Sequence, residues 1–308
     1  MKLRQIECLC AIVDADFHIS RAAKNLHATQ PAVSRQLILL EQELGLDLLQ
    51  RHRGRLVGLT EVGERTLAWG RRALQCFENI RGLSLEQRGG ETGGTITIAT
   101  SPTHTRHILL PVIRAFSRRY PRVRVVMQQA TFDEAVDMLA GGKATLAVMS
   151  ARPLVNRDMV TVAFRSSEIL LITPVGHPIL KTKRVTMAAL TRYPFVLTSP
   201  SPMADQVHER LRQEKLQLDV VVRGINSEMT KEFVEAGLGI GVIPAFTYSA
   251  NKDRGIRALG LGHLFEPVSS CVLLRKQSHL PHFVSDFLEL LDPSLERRQI
   301  EALIFDSD

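Results

Sequence analysis

The stretch Ser20-Arg-Ala-Ala-Lys-Asn-Leu-His-Ala-Thr-Gln-Pro-Ala-Val-Ser-Arg-Gln-Leu37 reads as two helical segments separated by a tight break. Ser20 stands where an N-cap is expected, and the paired Ala22 and Ala23 behind it let a neighbouring helix approach closely. His27-Ala28-Thr29 supplies the break. Thr29 then caps a further helix that carries Pro31 in its first turn, where a missing N–H costs nothing, and that is predicted to run to about Leu44. Val33, Leu37, Leu40 and Leu44 form its apolar stripe, leaving Gln30, Ser34, Arg35 and Ile38 on other faces. A polar, N-terminally exposed second helix after a short turn is what entry into a DNA major groove requires. Gln30 suits adenine, Arg35 suits guanine, and Ser34 is short enough for a backbone phosphate. The competing reading is that these are solvated polar residues on an ordinary bundle helix.

Upstream, Leu3, Ile6, Leu9, Cys10 and Val13 lie along one helical stripe, so a first amphipathic helix precedes the pair. Downstream, Arg51-His52-Arg53-Gly54-Arg55 places three arginines around a turn glycine, and Leu56 to Thr60 can return as a strand. Such a basic hairpin, or wing, can reach phosphates or a narrow minor groove; taken alone, the run would equally be a solvated loop. From Thr60 to about Gln87 no proline intervenes, and Leu67, Leu74, Phe77 and Ile80 recur at near-helical steps, predicting one helix of roughly 40 Å. Its apolar edge is expected to pair with the same helix of a second subunit, ahead of a hinge at Gly89-Gly90 and Gly93-Gly94.

Beyond the hinge the pattern alternates. Strands are predicted at 95–99, 123–128, 146–149, 168–173, 195–198 and 220–222, with helices at 106–119, 133–139, 203–214 and 227–236, a βαβ rhythm that implies parallel sheets. Gly237-Leu-Gly-Ile-Gly precedes a strand rather than a helix, so a dinucleotide-binding loop is not indicated.

Composition narrows the function classes. At 308 residues, with 44% hydrophobic and 23% charged residues, the chain is expected to fold as several globular domains. It has no long apolar run and no signal-like opening, so a cytoplasmic protein without membrane contact is expected. Four scattered cysteines favour buried thiols over disulfides, and a net charge of +7 favours a polyanionic partner. No G-x-S-x-G elbow, H-E-x-x-H pair, P-loop or spaced Cys/His set is present, so neither an enzyme, a metal site nor a cofactor is expected.

Thr100-Ser101-Pro102-Thr103-His104-Thr105 falls between a strand and a helix start, gathering hydroxyls and unpaired N–H groups at a spot that suits an anion, although ordinary N-capping would use the same residues. Ser150, Thr198, Ser199 and Ser201 fall where other strands end, so they are expected to converge on the same cleft. His104 either donates to the anion or sits at the pocket edge.

The run Ser20 to Leu37, with Leu40-Glu-Gln-Glu-Leu-Gly, Arg51 to Gly54 and Leu59-Thr-Glu-Val-Gly63, resembles the N-terminal signature of the LysR-type transcriptional regulators. The resemblance covers nearly the whole chain. It implies an α/β protein with a winged helix-turn-helix (1–60), a dimerisation linker helix and hinge (61–90), and a two-lobed effector domain similar to periplasmic binding proteins. Lobe I would be 91–165 with 267–308 and lobe II 166–266, with chain crossings near Arg165 and Glu266. It implies Thr29, Gln30, Pro31, Ser34 and Arg35 at the DNA and Arg53 in the wing. Expected partners are double-stranded DNA with an interrupted palindromic operator, further copies of the chain as a homodimer to homotetramer, and RNA polymerase.

Within the family, Thr103-His-Thr-Arg106, Leu110-Pro-Val-Ile-Arg-Ala-Phe116 and Arg119-Tyr-Pro-Arg-Val123 are most similar to the CysB-type regulators of sulfur assimilation. That subgroup responds to sulfate or acetylated serine derivatives, implying Thr100, Ser101, Thr103 and Ser150 as ligand hydroxyls. One departure stands out: Met203-Ala204-Asp205 replaces the subgroup's Thr-Gly-Arg, and an acidic Asp205 would repel a dianion. The alternative is a LysR-type regulator of another pathway responding to a small carboxylate or aromatic acid.

Overall fold

The computed structural model describes the chain except residues 53, 88–93, 154, 155, 157, 225 and 306–308. Arg53 and three of the four hinge glycines therefore lie outside the described residues. The chain divides into two compact units, one of residues 1–90 with 278–281 and one of 91–277 with 282–308.

The first unit runs α1 (Leu3–Asp14), α2 (Ile19–Asn25), α3 (Gln30–Leu44), β1 (Leu49–His52), β2 (Arg55–Leu59) and α4 (Glu61–Gln87). Ile6, Leu9, Ile12, Ala22, Val33, Leu37, Leu40 and Leu49 make its core. His27 takes a left-handed φ of 48° between α2 and α3, and Gly45, at φ 68°, ends α3. β1 and β2 pair antiparallel as a hairpin around Gly54, at φ 78°. Two sequence expectations are corrected. Helix α2 starts at Ile19 with His18 as its N-cap, so the Ser20 hydroxyl is already inside the first turn and donates to Gln30 Oε1 at 2.9 Å instead of capping. Leu44 is 38% exposed, because α3 ends there and the core stripe stops at Leu40.

The second unit contains β3 (Gly94–Thr100), α5 (Pro102–His104), a π-helical turn (Thr105–Leu109), α6 (Leu110–Arg119), β4 (Val123–Gln129), α7 (Phe132–Ala140), β5 (Leu146–Ser150) and β6 (Met159–Ser167). It continues with β7 (Ile169–Pro174), α8 (Met187–Leu190), β8 (Phe195–Thr198), α9 (Pro202–Glu214), β9 (Val220–Gly224), α10 (Ser227–Glu235), β10 (Ile240–Pro244) and β11 (Ile256–Gly260). β12 (Val268–Arg275), α11 (His282–Leu291) and α12 (Arg297–Phe305) close the chain.

Two five-stranded sheets result, in the orders β4-β3-β5-β12-β6 and β11-β7-β10-β8-β9. In each, three neighbouring strands are parallel, and the remaining two enter antiparallel to their neighbours. The chain leaves the first sheet between Ser167 and Ile169 and returns between Gly260 and Val268. At this double crossing the Glu168 carboxylate accepts the Gly262 N–H at 3.0 Å. The predicted helix at 106–119 instead begins at Pro102, as a short helical turn continued by the π turn into α6. The strand β6 and the elements from β11 onward were not anticipated.

Candidate functional site

In the first unit, Thr29 occupies the N-cap position of α3 with extended backbone, although its hydroxyl makes no capping bond. Thr29, Gln30, Pro31 and Arg35 are exposed and Ser34 is half-buried, so the structure presents these five side chains from the first turns of α3. Ser20 holds the Gln30 side chain by donating to its amide oxygen.

One residue that the sequence reading passed over holds the hairpin to this helix. Glu41, 7% exposed, accepts from the Leu48 and Leu49 N–H groups at 3.0 and 3.3 Å and from Arg51 Nη2 at 2.8 Å. A buried carboxylate is tolerated only when its lone pairs are met in this way. After the hairpin, Thr60 accepts the Gly63 N–H at 2.9 Å and donates to Asp47 O at 2.8 Å, starting α4 against the end of the preceding loop. Along α4, Trp69, Phe77 and Ile80 are 67%, 50% and 64% exposed.

In the second unit a cavity of about 610 Å³ opens between the two sheets. Its walls come from the carboxyl ends of six parallel strands: Ser101, Thr103 and His104 after β3, Gln129 on β4, Ser150 and Arg152 at and after β5, Thr198 to Ser201 at β8, Asn226 and Ser227 after β9, and Phe246 after β10. Ligand sites form at such strand ends because the connecting loops and helix starts meet there. Four N-cap residues line the space. Ser101 accepts from His104 N, Thr131 from Glu134 N, Ser201 from Ala204 N and Asn226 from Met229 N. Several helix N-termini, with their partial positive charge, therefore converge on one volume. Asp133 and Glu134 line the same wall, Phe132, Met149 and Met203 give it apolar surface, and Arg152 is its arginine.

The sequence-predicted ligands mostly meet here. Ser101, Thr103, His104, Ser150, Thr198, Ser199 and Ser201 line the cavity. Thr100 does not: it is 2% exposed, and its hydroxyl donates to Val148 O at 2.7 Å, locking β3 to β5. Thr103 lines the wall where its Oγ1 accepts the Ser227 N–H at 3.4 Å, bridging the sheets. Thr198 shares its hydroxyl with Thr230 at 2.7 Å. His104 is 3% exposed, and burial, helped by the charge of nearby His107, pushes its pKa down to about 4, so its ring is neutral at neutral pH. Arg152 and Phe246 went unread, since a single arginine after a strand and an aromatic after a buried strand carry no motif. The described residues hold no group of three or more His, Cys, Asp or Glu side chains placed to bind a metal.

A second set of charges joins the sheets beside the cavity. Glu228, in the first turn of α10, lies 2.7 Å from His107 Nε2, 2.9 Å from Lys231 Nζ and 3.4 Å from Arg106 Nε. Burial works against its ionisation, but the hydrogen bonds from His107 and Lys231, with the Lys231 and Arg106 charges, hold its carboxyl below the usual glutamate value.

Residues 3–64 match the bacterial regulatory helix-turn-helix model of the lysR family, and residues 89–296 match the LysR substrate binding domain. The chain is similar to the HTH-type transcriptional regulator CysB of Burkholderia cenocepacia, 31% identical over 99% of this chain and 97% of that protein. It is also similar to SsuR of the same organism, 30% identical over 99% of both chains. Among solved structures, the cofactor-binding domain of the Cbl regulator superposes with a TM-score of 0.66 at 25% identity, covering 70% of this chain and 95% of that one.

Proposed function

The chain belongs to the LysR family of transcription regulators, and from that premise we propose that it regulates sulfur assimilation genes, reading a small anionic effector in the cavity between its two sheets. The supporting observation is the cavity itself, where hydroxyls from both sheets, several helix N-termini and Arg152 share one volume. A space of about 610 Å³ suits a ligand larger than a bare oxyanion, and its apolar wall of Phe132, Met149 and Phe246 favours an organic anion such as an acetylserine beside sulfate. The same wall gives weight to a second reading, a small carboxylate or aromatic acid from another pathway.

Thr29, Gln30, Pro31, Ser34 and Arg35 would meet an interrupted palindromic operator in the major groove, with Arg53 at the flanking backbone or minor groove. The exposed Trp69, Phe77 and Ile80 on α4 support pairing of that helix with a second copy, the step from which a homodimer and then a homotetramer would be built. No described helix is long and apolar enough to cross a membrane, in keeping with a cytoplasmic regulator working at DNA and RNA polymerase. Effector binding between the sheets would shift the placement of the DNA-binding heads and the bend of the operator. The test is calorimetry with sulfate and with an acetylserine, paired with operator footprinting. Binding of at least one, with a changed footprint, is expected; no binding and identical footprints would reject the reading.

A further inference from the structure

From the cavity wall inward, a hydroxyl, an imidazole and a second hydroxyl follow one another. Ser101, on the wall, has its Oγ 2.8 Å from His104 Nδ1, and His104 Nε2 is 3.3 Å from Ser270 Oγ. His104 and Ser270 are 3% and 2% exposed, so each ring nitrogen faces a protein hydroxyl rather than solvent. Phe246 lies against the ring, 5.7 Å between centroids. Ser270 sits on β12 opposite Ser150 of β5, in the middle of its sheet, and is held there by the ladder on both sides.

A ring kept neutral by burial carries one N–H, which leaves the chain of three groups two polarities. In the first, Nδ1–H donates to Ser101 Oγ, which also accepts the His104 backbone N–H at 3.3 Å; Ser101 keeps its own proton for the cavity, and Ser270 donates to Nε2. In the second, the Ser101 O–H donates to Nδ1 and Nε2–H donates to Ser270; Ser101 then shows the cavity only lone pairs. An anion is bound by the first and repelled by the second.

We propose that Ser270 and His104 are positioning residues that hold Ser101 as a hydrogen-bond donor, so that the anion-bound protein carries His104 as the Nδ1–H tautomer with Ser270 donating to Nε2. The proposal rests on the anionic-effector reading and adds the device that selects the sign of the ligand group at this spot, since an ammonium there demands the opposite polarity. A ligand shifts such an equilibrium by its differential affinity for the two states, so the tautomer reports on the mechanism directly.

The experiment uses the full-length protein with 15N-labelled histidine, inorganic sulfate as the probe, and His104→Asn to assign the ring signals. Sulfate saturation is expected to leave Nδ1 protonated and Nε2 as a hydrogen-bonded lone-pair nitrogen. In Ser270→Ala the Nε2 resonance is expected to move downfield, toward the position of a lone-pair nitrogen without a donor, a change that a merely structural role for Ser270 would not produce. An Nε2–H tautomer in the sulfate complex, or an Nε2 resonance that Ser270→Ala leaves in place, overturns the proposal while the anionic reading stands. Absence of any calorimetric response of the wild type to sulfate overturns the proposal, and absence of a response to an acetylserine as well overturns the anionic reading with it.

Discussion

Arg152 Nη2 stands 2.9 Å from Asp205 Oδ2, joining the end of β5 in one sheet to the first turn of α9 on the other. The acidic Asp205, read from sequence as a source of repulsion, is thus the partner of the cavity's own arginine. The pair is a cross-cleft contact, and an anion bound at Arg152 would share the guanidinium with the carboxylate.

Opposite signs are therefore expected for two substitutions. Arg152→Ala removes a charged donor and is expected to weaken sulfate binding by about 10- to 100-fold, the value of a charge-assisted hydrogen bond. Asp205→Ala frees the guanidinium and is expected to tighten it. Calorimetry on both variants checks the pair, and an Arg152→Ala protein that binds sulfate as tightly as the wild type would show that Arg152 does not meet the anion.

His104 makes stability depend on pH in a defined window. Its folded pKa, about 4, lies below the ordinary value of 6.5, so the native state binds fewer protons than the unfolded one between these values. The contribution is fully present above pH 6.5 and is lost as pH falls toward 4, on the order of 3 kcal/mol across the window. Urea unfolding followed by circular dichroism should show the wild type losing stability more steeply than His104→Gln between these limits. Parallel pH profiles would place the ring in water.

At the DNA, direct readout and phosphate contact separate by their salt dependence. Arg35→Ala is expected to relax discrimination at one base position by about 1 to 3 kcal/mol. Arg53→Ala is expected to weaken binding across all sequences and reduce the salt slope by about one. Operator titrations at several salt concentrations check both, and unchanged affinity in both variants would reject the assignments.

What was legible in sequence follows from how locally each signal is encoded. The helix-turn-helix was readable because the breaker, the first-turn proline and the start of the apolar stripe all lie within the run from Ser20 to Leu37, and the hydroxyl clusters because strand ends coincide with Ser, Thr and Pro runs. Arg152, Phe246 and Ser270 were not, because each acts through partners remote in sequence: Asp205, His104 and again His104. Ser20 misled for a local reason, since the helix begins one residue earlier and its hydroxyl found Gln30. Thr100 misled for a topological one, since a central strand turned its side chain to Val148.

The glycine of the Leu59-Thr60-Glu61-Val62-Gly63 motif gives a prediction whose sign runs against helix propensity. Within a helix, Gly→Ala ordinarily stabilises by about 1 kcal/mol. At Gly63 an added Cβ would lie 1.9 Å from the Leu48 carbonyl oxygen, and backbone atoms cannot retreat as a side-chain end can. Gly70 of the same helix would meet Ile6 Cγ2 at 2.7 Å, a methyl on a side chain that can rotate. Gly63→Ala is therefore expected to destabilise the first unit by about 1 to 3 kcal/mol and to lower operator affinity by disturbing the start of α4 against the hairpin. Gly70→Ala is expected to cost less, and Val62→Ala, at a position 38% exposed, to change little. Trp69 fluorescence during thermal unfolding reads this unit, and a Gly63→Ala protein as stable as the wild type would show that α4 and Leu48 are not in the close contact that the motif encodes.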